Sequence, residues 1–253
     1  AAIASWCAGG VFASVFGLRW LGLVPSVRHL REWLLSQRTL GRLLLLEFAV
    51  AQGAAFVAVT GLSLLDSKES SGALRGAMVL FGPLLIVTAA ATALFVPTLS
   101  RLATNGDYTE FRSRVRWLSA GLSLLACAYS GILVLVPDSF GSEMLGKTWT
   151  FSEGLIPILG AAQVFSTFAA GRLIGLRSMR AASISLRARA IVFPFSLVLV
   201  MGGVTMGREG AAWAVLASAA ITAVAFYGAF ERAFHASIPT KSNIGMVAPN
   251  NEH

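Results

Sequence analysis

Charged side chains are scarce in this sequence. Only 13% of its 253 residues are charged, whereas 56% are hydrophobic, and the mean hydropathy is +0.72. Soluble domains carry about 25% charged residues. Apolar surface on this scale is hidden by a membrane, where each spanning helix needs about 20 apolar residues. The composition therefore predicts an all-α, polytopic membrane protein.

Residues that carry enzyme chemistry are also few. The two cysteines, Cys7 and Cys127, lie inside apolar runs, where we expect them to be buried apolar side chains rather than a disulfide or metal site. None of the three histidines stands beside acids or cysteines at metal-ligand spacing. The sequence has no Gly-rich phosphate loop and no GxSxG motif. We therefore expect no metal, no cofactor and no enzyme activity.

The net charge of +8 raises the question of nucleic acid as a partner. The charges fall in short blocks between apolar runs, without interleaved aromatic residues or a nucleic-acid-binding motif. We therefore expect the lipid bilayer, and not nucleic acid, to be the partner of this chain.

Seven apolar segments have lengths that suit membrane helices better than the shorter, alternating strands of a β-barrel. The predicted spans are about Ala1–Leu18, Leu43–Leu65, Gly72–Pro97, Leu118–Val136, Gly154–Leu176, Ala190–Met206 and Gly210–Phe230. Glycine and proline within them are tolerable because neighbouring helices can satisfy the freed backbone groups.

Charge asymmetry between the connecting segments predicts the orientation. Fifteen Lys and Arg residues fall in the connections after the first, third and fifth spans and in the tail, against three in the other connections (Lys68, Lys147 and Arg208). By the positive-inside rule the rich side is cytoplasmic. We therefore predict a multi-pass protein of the inner (cytoplasmic) membrane with a cytoplasmic C-terminus.

The first predicted span then begins outside, yet no positively charged segment precedes it, so it is not a complete signal peptide. We expect this chain to be the C-terminal part of a longer protein. Residues 1–18 would be the last helix of a truncated N-terminal lobe and residues 19–42 an amphipathic cytoplasmic linker. Residues 43–235 would form a six-helix lobe, and residues 236–253 a disordered polar tail.

Charges inside predicted spans are costly and point to function. Glu47 stands on a helical stripe of small residues, which directs it into the bundle. Arg172 lies at a similar depth in the fifth span, so that the two side chains could pair. Snorkelling of Arg172 to the interface is the competing interpretation. Gln52 is a weaker candidate for substrate binding, since such residues often form interhelical hydrogen bonds.

Arg75 is the third intramembrane charge. We place it about one turn from the exterior end of the third span, with Gly82 and Pro83 forming a helix break further along the same face. Transporter cavities often combine a charge with a broken helix. Interface snorkelling is again the alternative.

Three stretches resemble a known family: Leu40-Gly-Arg-Leu-Leu-Leu-Leu-Glu-Phe48, Gly72-Ala-Leu-Arg-Gly-Ala-Met-Val-Leu-Phe-Gly-Pro-Leu84 and Val96-Pro-Thr-Leu-Ser-Arg-Leu102. They are similar to the Wzx-like flippases of the multidrug/oligosaccharidyl-lipid/polysaccharide exporter superfamily. The resemblance implies two six-helix lobes joined by a cytoplasmic linker, of which this chain would hold the C-terminal lobe. It also implies a partner in the missing N-terminal lobe or in another subunit.

The resemblance implies transport of a lipid-linked saccharide with a phosphate or pyrophosphate headgroup. Arg75 would bind the headgroup near the exterior exit and Arg172 near the interior entry, with Glu47 orienting Arg172 or coupling to an ion. One alternative is a multidrug-type cation antiporter of the same superfamily, for which Glu47 would be the exchanging acid. Another is a non-transporting scaffold or half-transporter that needs a partner.

Overall fold

The computed structural model describes residues 55–179 and 181–237, together with isolated positions between residues 12 and 53. The chain divides into two compact units, Ala1–Leu44 and Leu45–His253, and both described ranges belong to the second. Nearly all of the predicted first span and linker lies outside the described residues, as do most of the predicted tail, Glu47 and Gln52.

The described part of the chain is helical and contains no strand, which confirms the all-α prediction. Short 3-10 turns at Gly146–Thr148 and Glu153–Leu155 flank the short helix Trp149–Ser152. The helices in chain order are α1 (Ala55–Leu65), α2 (Lys68–Leu80), α3 (Gly82–Asn105), α4 (Tyr108–Val134), α5 (Asp138–Leu145), α6 (Trp149–Ser152), α7 (Ile156–Ser178), α8 (Ala182–Val204) and α9 (Gly207–Ser237).

Five helical segments are long and apolar enough to cross a membrane. They are Gly82–Asn105, Tyr108–Val134, Trp149–Ser178, Ser183–Val204 and Gly207–Ser237. Each overlaps one of the predicted third to seventh spans, and the protein is a multi-pass membrane protein. The described half of the predicted second span, α1, is a shorter apolar helix.

The predicted third span needs a correction. The apolar run Gly72–Pro97 is divided at Phe81, and the helix long enough to cross the membrane is α3 (Gly82–Asn105). Pro83 stands in the first turn of α3, where its missing N–H is least costly. Arg75 therefore lies in the preceding helix α2, outside the segment Gly82–Asn105.

Short turns bring several arginine-bearing helix ends together. Gly106, with a φ of 80°, ends α3 in the left-handed conformation, and α4 begins two residues later. Ser100 near the end of α3 donates a hydrogen bond of 3.1 Å to the carbonyl oxygen of Ser178 at the end of α7. The arginine-rich end of the bundle comprises the C-terminal ends of α3, α7 and α9 and the N-terminal ends of α4 and α8.

Helix α7 is the central helix of the described bundle. Within its spanning window 44% of the residues are buried, against 17–28% in the other four candidate spans. It packs on α4 and α9 and, less extensively, on α3. The outward faces of the surrounding helices carry large exposed apolar side chains, as contact with lipid requires; examples are Leu94, Trp117, Leu124, Val198 and Trp213.

Small residues let α4 and α7 approach closely. A Cβ added to Gly171 would lie 2.6 Å from the Cα of Ser119, and one added to Gly160 would lie 2.8 Å from the Cβ of Ser130. Close approach of this kind gives dispersion contacts. They drive helix association in a bilayer, where lipid tails are as apolar as the side chains and the hydrophobic effect contributes little. The α4–α7 contact therefore depends on glycine at position 171.

We predict that Gly171→Ala destabilises the protein, because the new methyl group would press on the Ser119 backbone. The expected loss is about 1–3 kcal/mol, typical of overpacking. The matched control is Gly121→Ala on α4, where an added Cβ meets no atom within 4 Å among the described residues. Thermal unfolding in detergent, followed by tryptophan fluorescence, measures both; equal midpoints for the two variants would contradict the close packing.

Candidate functional site

Arg172 is a buried cation near the last turns of α7. Only 6% of its side chain is exposed. Its Cζ atom lies 5.3 Å from the ring centre of Phe168, 5.0 Å from that of Tyr227 and 5.1 Å from that of Phe230. Aromatic faces attract a guanidinium group, and more strongly when water is excluded. The rings of α7 and α9 therefore hold Arg172 inside the bundle rather than at its surface.

One carboxylate lies between two arginines. Nη2 of Arg112 on α4 donates a hydrogen bond of 2.7 Å to Oε2 of Glu231 on α9. Nη1 of Arg172 lies 3.8 Å from Oε1 of the same carboxylate, within ion-pair range but too far for a hydrogen bond. Glu231 thus neutralises Arg112 directly and Arg172 only by attraction through space.

Several guanidinium N–H groups of this cluster lack a hydrogen-bond partner among the described residues. They are buried, and they belong to Nε and Nη1 of Arg172 and to Nε of Arg112. A buried donor without an acceptor costs the free energy of its lost hydration, and native structures keep few of them. The site therefore has donor capacity that its own carboxylate does not satisfy.

The cluster also has an excess of positive charge. Arg112 and Arg116 both lie close enough to Arg172 to repel it electrostatically, while Glu231 attracts it. Nε2 of His235 lies 4.0 Å from Oε2 of Glu231 and brings no negative charge. In the described part of the cluster two arginines thus contact one carboxylate, and Arg116 adds a further positive charge near Arg172. Such a site attracts an anion.

Aromatic packing on α9 positions the carboxylate. Phe226, Phe230 and Phe234 recur at intervals of four residues and are buried, which places them along one face of the helix. Phe111 of α4 lies 6.2 Å from Phe230 and 6.3 Å from Phe234, ring centre to ring centre. Because Arg112 follows Phe111 in the chain, this stack fixes the start of α4 beside Glu231.

The structure keeps Arg75 and Arg172 apart. Arg75 is exposed on α2, and its side chain forms no ion pair or hydrogen bond with the described residues. Helix α2 packs against α6 and the turn that leads into the start of α7, whereas Arg172 lies near the end of α7. Glu47 and Gln52 lie outside the described residues, and the described carboxylate nearest to Arg172 is Glu231.

The helix break at Phe81, directly before Gly82 and Pro83, is stabilised by a tyrosine of α4. Helix α2 ends at Leu80 and α3 begins at Gly82. The hydroxyl of Tyr129 donates a hydrogen bond of 2.7 Å to the carbonyl oxygen of Leu80, and its ring meets that of Phe81 edge-on. A carbonyl freed by a helix break inside a membrane needs such a partner.

Sequence reasoning missed Glu231 and Arg112. Arg112 lies in the predicted connection after the third span, whose neighbouring apolar run begins only at Leu118, and Glu231 lies just beyond the last predicted span, which ends at Phe230. Both residues could have been found from four-residue spacings, typical of a helix, that continue beyond the ends of the apolar runs. Tyr227, Glu231 and His235 repeat at four-residue spacing, and Glu110 is spaced four residues from Arg114, its ion-pair partner.

Within the described ranges no three His, Cys, Asp or Glu side chains lie together in a group that could bind a metal ion. No protein-family model, no curated protein and no solved structure matches this chain. The fold and the site therefore define only the class of protein and do not assign a family. The class is a multi-pass α-helical membrane protein with an arginine cluster partly buried at one end of its helices.

We predict that Tyr129→Phe lowers the free energy of unfolding by about 1–3 kcal/mol, because it leaves the Leu80 carbonyl without its partner. Tyr108→Phe is the control. Tyr108 also packs edge-on against a phenylalanine, but its hydroxyl has no hydrogen bond recorded in the described part of the chain. Unfolding midpoints in detergent compare the two, and an equal effect would show that the hydroxyl does not stabilise the break.

Proposed function

We propose that this chain is the lobe of a flippase that moves a lipid-linked saccharide across the cytoplasmic membrane for export of a surface polysaccharide. The observation that supports this most strongly is the excess of guanidinium groups around Arg172 in a bundle of membrane-spanning helices. Charges are expensive at such a place and are kept where they bind a substrate or an ion.

The chemistry of the cargo fits this cluster. Lipid-linked saccharides carry a phosphate or pyrophosphate between lipid and sugar, and arginine binds such groups through charge-assisted, often bidentate, hydrogen bonds. Arg172 supplies unpartnered donors for them. The lipid tail would remain in the bilayer, against the exposed apolar faces of the helices.

The orientation of the protein in the membrane determines the side from which the arginine cluster around Arg172 would meet its cargo. The positive-inside rule puts the arginine-rich end in the cytoplasm, so that Arg172 serves at the entry and the C-terminus is cytoplasmic. Arg75, exposed on α2, serves near the exit on the other side. Movement of this lobe against a second one, from the N-terminal part of a longer protein or from a partner subunit, would move the site between the two sides.

The cation antiporter is less well supported by the described residues. An organic cation would have to enter a cluster in which guanidinium groups outnumber carboxylates. Repulsion by Arg112, Arg116 and Arg172 opposes such a cargo.

The test is a leaflet-exposure assay on a fluorescent undecaprenyl-linked saccharide in proteoliposomes that contain the full-length protein. We expect Arg172→Ala to slow translocation at least about tenfold, the loss of one charge-assisted phosphate contact. Arg172→Lys keeps the positive charge but lacks the planar guanidinium group that binds phosphate in a bidentate way, so its translocation should also be slower than that of the wild type.

The matched control is Arg114→Ala, which removes an exposed arginine that pairs with Glu110 on the surface of α4. Its rate should equal that of the wild-type protein. Wild-type rates in both Arg172 variants would contradict the role of Arg172, and absence of translocation by the wild-type protein would contradict the function.

A further inference from the structure

The carboxylate of Glu231 bridges two arginines from different helices. Its Oε2 accepts the hydrogen bond from Arg112 of α4, at 2.7 Å, and its Oε1 faces Nη1 of Arg172 of α7, at 3.8 Å. An oxyanion held by both guanidinium groups would place one oxygen towards each of them in the same way. Glu231 therefore stands where such a ligand would bind.

The arginines offer more donors than this carboxylate uses. Nε and Nη1 of Arg172 and Nε of Arg112 are buried without a hydrogen-bond partner in the described part of the protein. A carboxylate has two oxygens, whereas a phosphate group presents three or four in a tetrahedral arrangement. A phosphate can therefore satisfy donors that Glu231 leaves unpaired, and it carries more negative charge.

Exposure falls inward across the cluster. The exposed fraction of the side chain is 39% for Arg112, 17% for Glu231 and 6% for Arg172. A ligand arriving from the arginine-rich end would meet Arg112 first and Arg172 last. Oε2 of Glu231 already lies 4.0 Å from Nε2 of the exposed His235, so a displaced carboxylate has a polar neighbour on the outer side.

We propose that Arg112 and Arg172 form a clamp for a phosphate or pyrophosphate group, and that Glu231 is the resident counterion which this ligand displaces. The natural ligand, a lipid-linked phosphate, rests on the proposed function. Binding itself requires only the two arginines. Glu231 keeps the clamp neutralised while it is empty and competes with the ligand for the same donors.

Isothermal titration calorimetry on the full chain in a non-ionic, magnesium-free detergent solution tests the clamp. The two probes are inorganic pyrophosphate and dodecyl phosphate. Binding of either one supports the clamp; a preference for dodecyl phosphate identifies a lipid headgroup as the source, and a preference for pyrophosphate a soluble anion.

Glu231→Gln removes the competing charge and keeps the shape, and we expect it to tighten binding of the better probe about tenfold. Glu110→Gln is the matched control, because Glu110 also neutralises an arginine but on the exposed face of α4; its affinity should equal that of the wild type. Arg112→Gln should weaken binding about tenfold, and Arg114→Gln should not.

Folding is checked by size-exclusion chromatography and thermal unfolding. If Glu231→Gln does not fold, Glu231→Asp replaces it, since the shorter acid cannot reach both arginines and should also tighten binding. Equal or weaker binding in the folded Glu231 variant would overturn the role of Glu231. Absence of binding by both the wild type and that variant would overturn the clamp.

The outcome is separable from that of the proposed function. If the chain binds phosphate through Arg112 and Arg172 but does not translocate a lipid-linked saccharide, the clamp is supported and the flippase function is contradicted. A chain that translocates a lipid-linked saccharide but binds neither probe supports the flippase and contradicts the clamp.

Discussion

Burial of one guanidinium group inside membrane-spanning helices is the constraint on which the candidate site depends. Removing Arg172 from water is costly unless other groups replace its hydration. Three aromatic rings and one shared carboxylate do so in part, and two of its nitrogen atoms remain without an acceptor among the described residues. Such incomplete compensation is what distinguishes a binding site from a structural ion pair.

The packing of three helices creates this environment. Glycine at position 171 lets α7 lie against the backbone of Ser119 on α4, and the stack of Phe111 on Phe230 joins α4 to α9. Those contacts bring Arg112 and Glu231, which are 119 residues apart in sequence, to a hydrogen-bond distance. The close approach of the helices and the charge cluster are therefore parts of one arrangement.

The helical class, five of the apolar spans and the presence of Arg172 within one of them could be predicted from the sequence, because all three follow from apolar runs and the charges inside them. Glu231 was missed because the apolar run stops at Phe230 while α9 continues to Ser237. The apolar run that contains Arg75 continues through Gly82 and Pro83, whereas the helix is interrupted at Phe81. The partners of Arg172 depend on which helices are neighbours, and a pattern along one chain does not contain that information.

Crystals of the protein soaked in selenate and measured at the selenium absorption edge would show whether Arg112 and Arg172 hold an oxyanion in the place of Glu231. We expect an anomalous peak between the two guanidinium groups, with the Glu231 carboxylate moved away from Arg172. A peak elsewhere, or none while Glu231 still bridges the two arginines, would contradict the clamp.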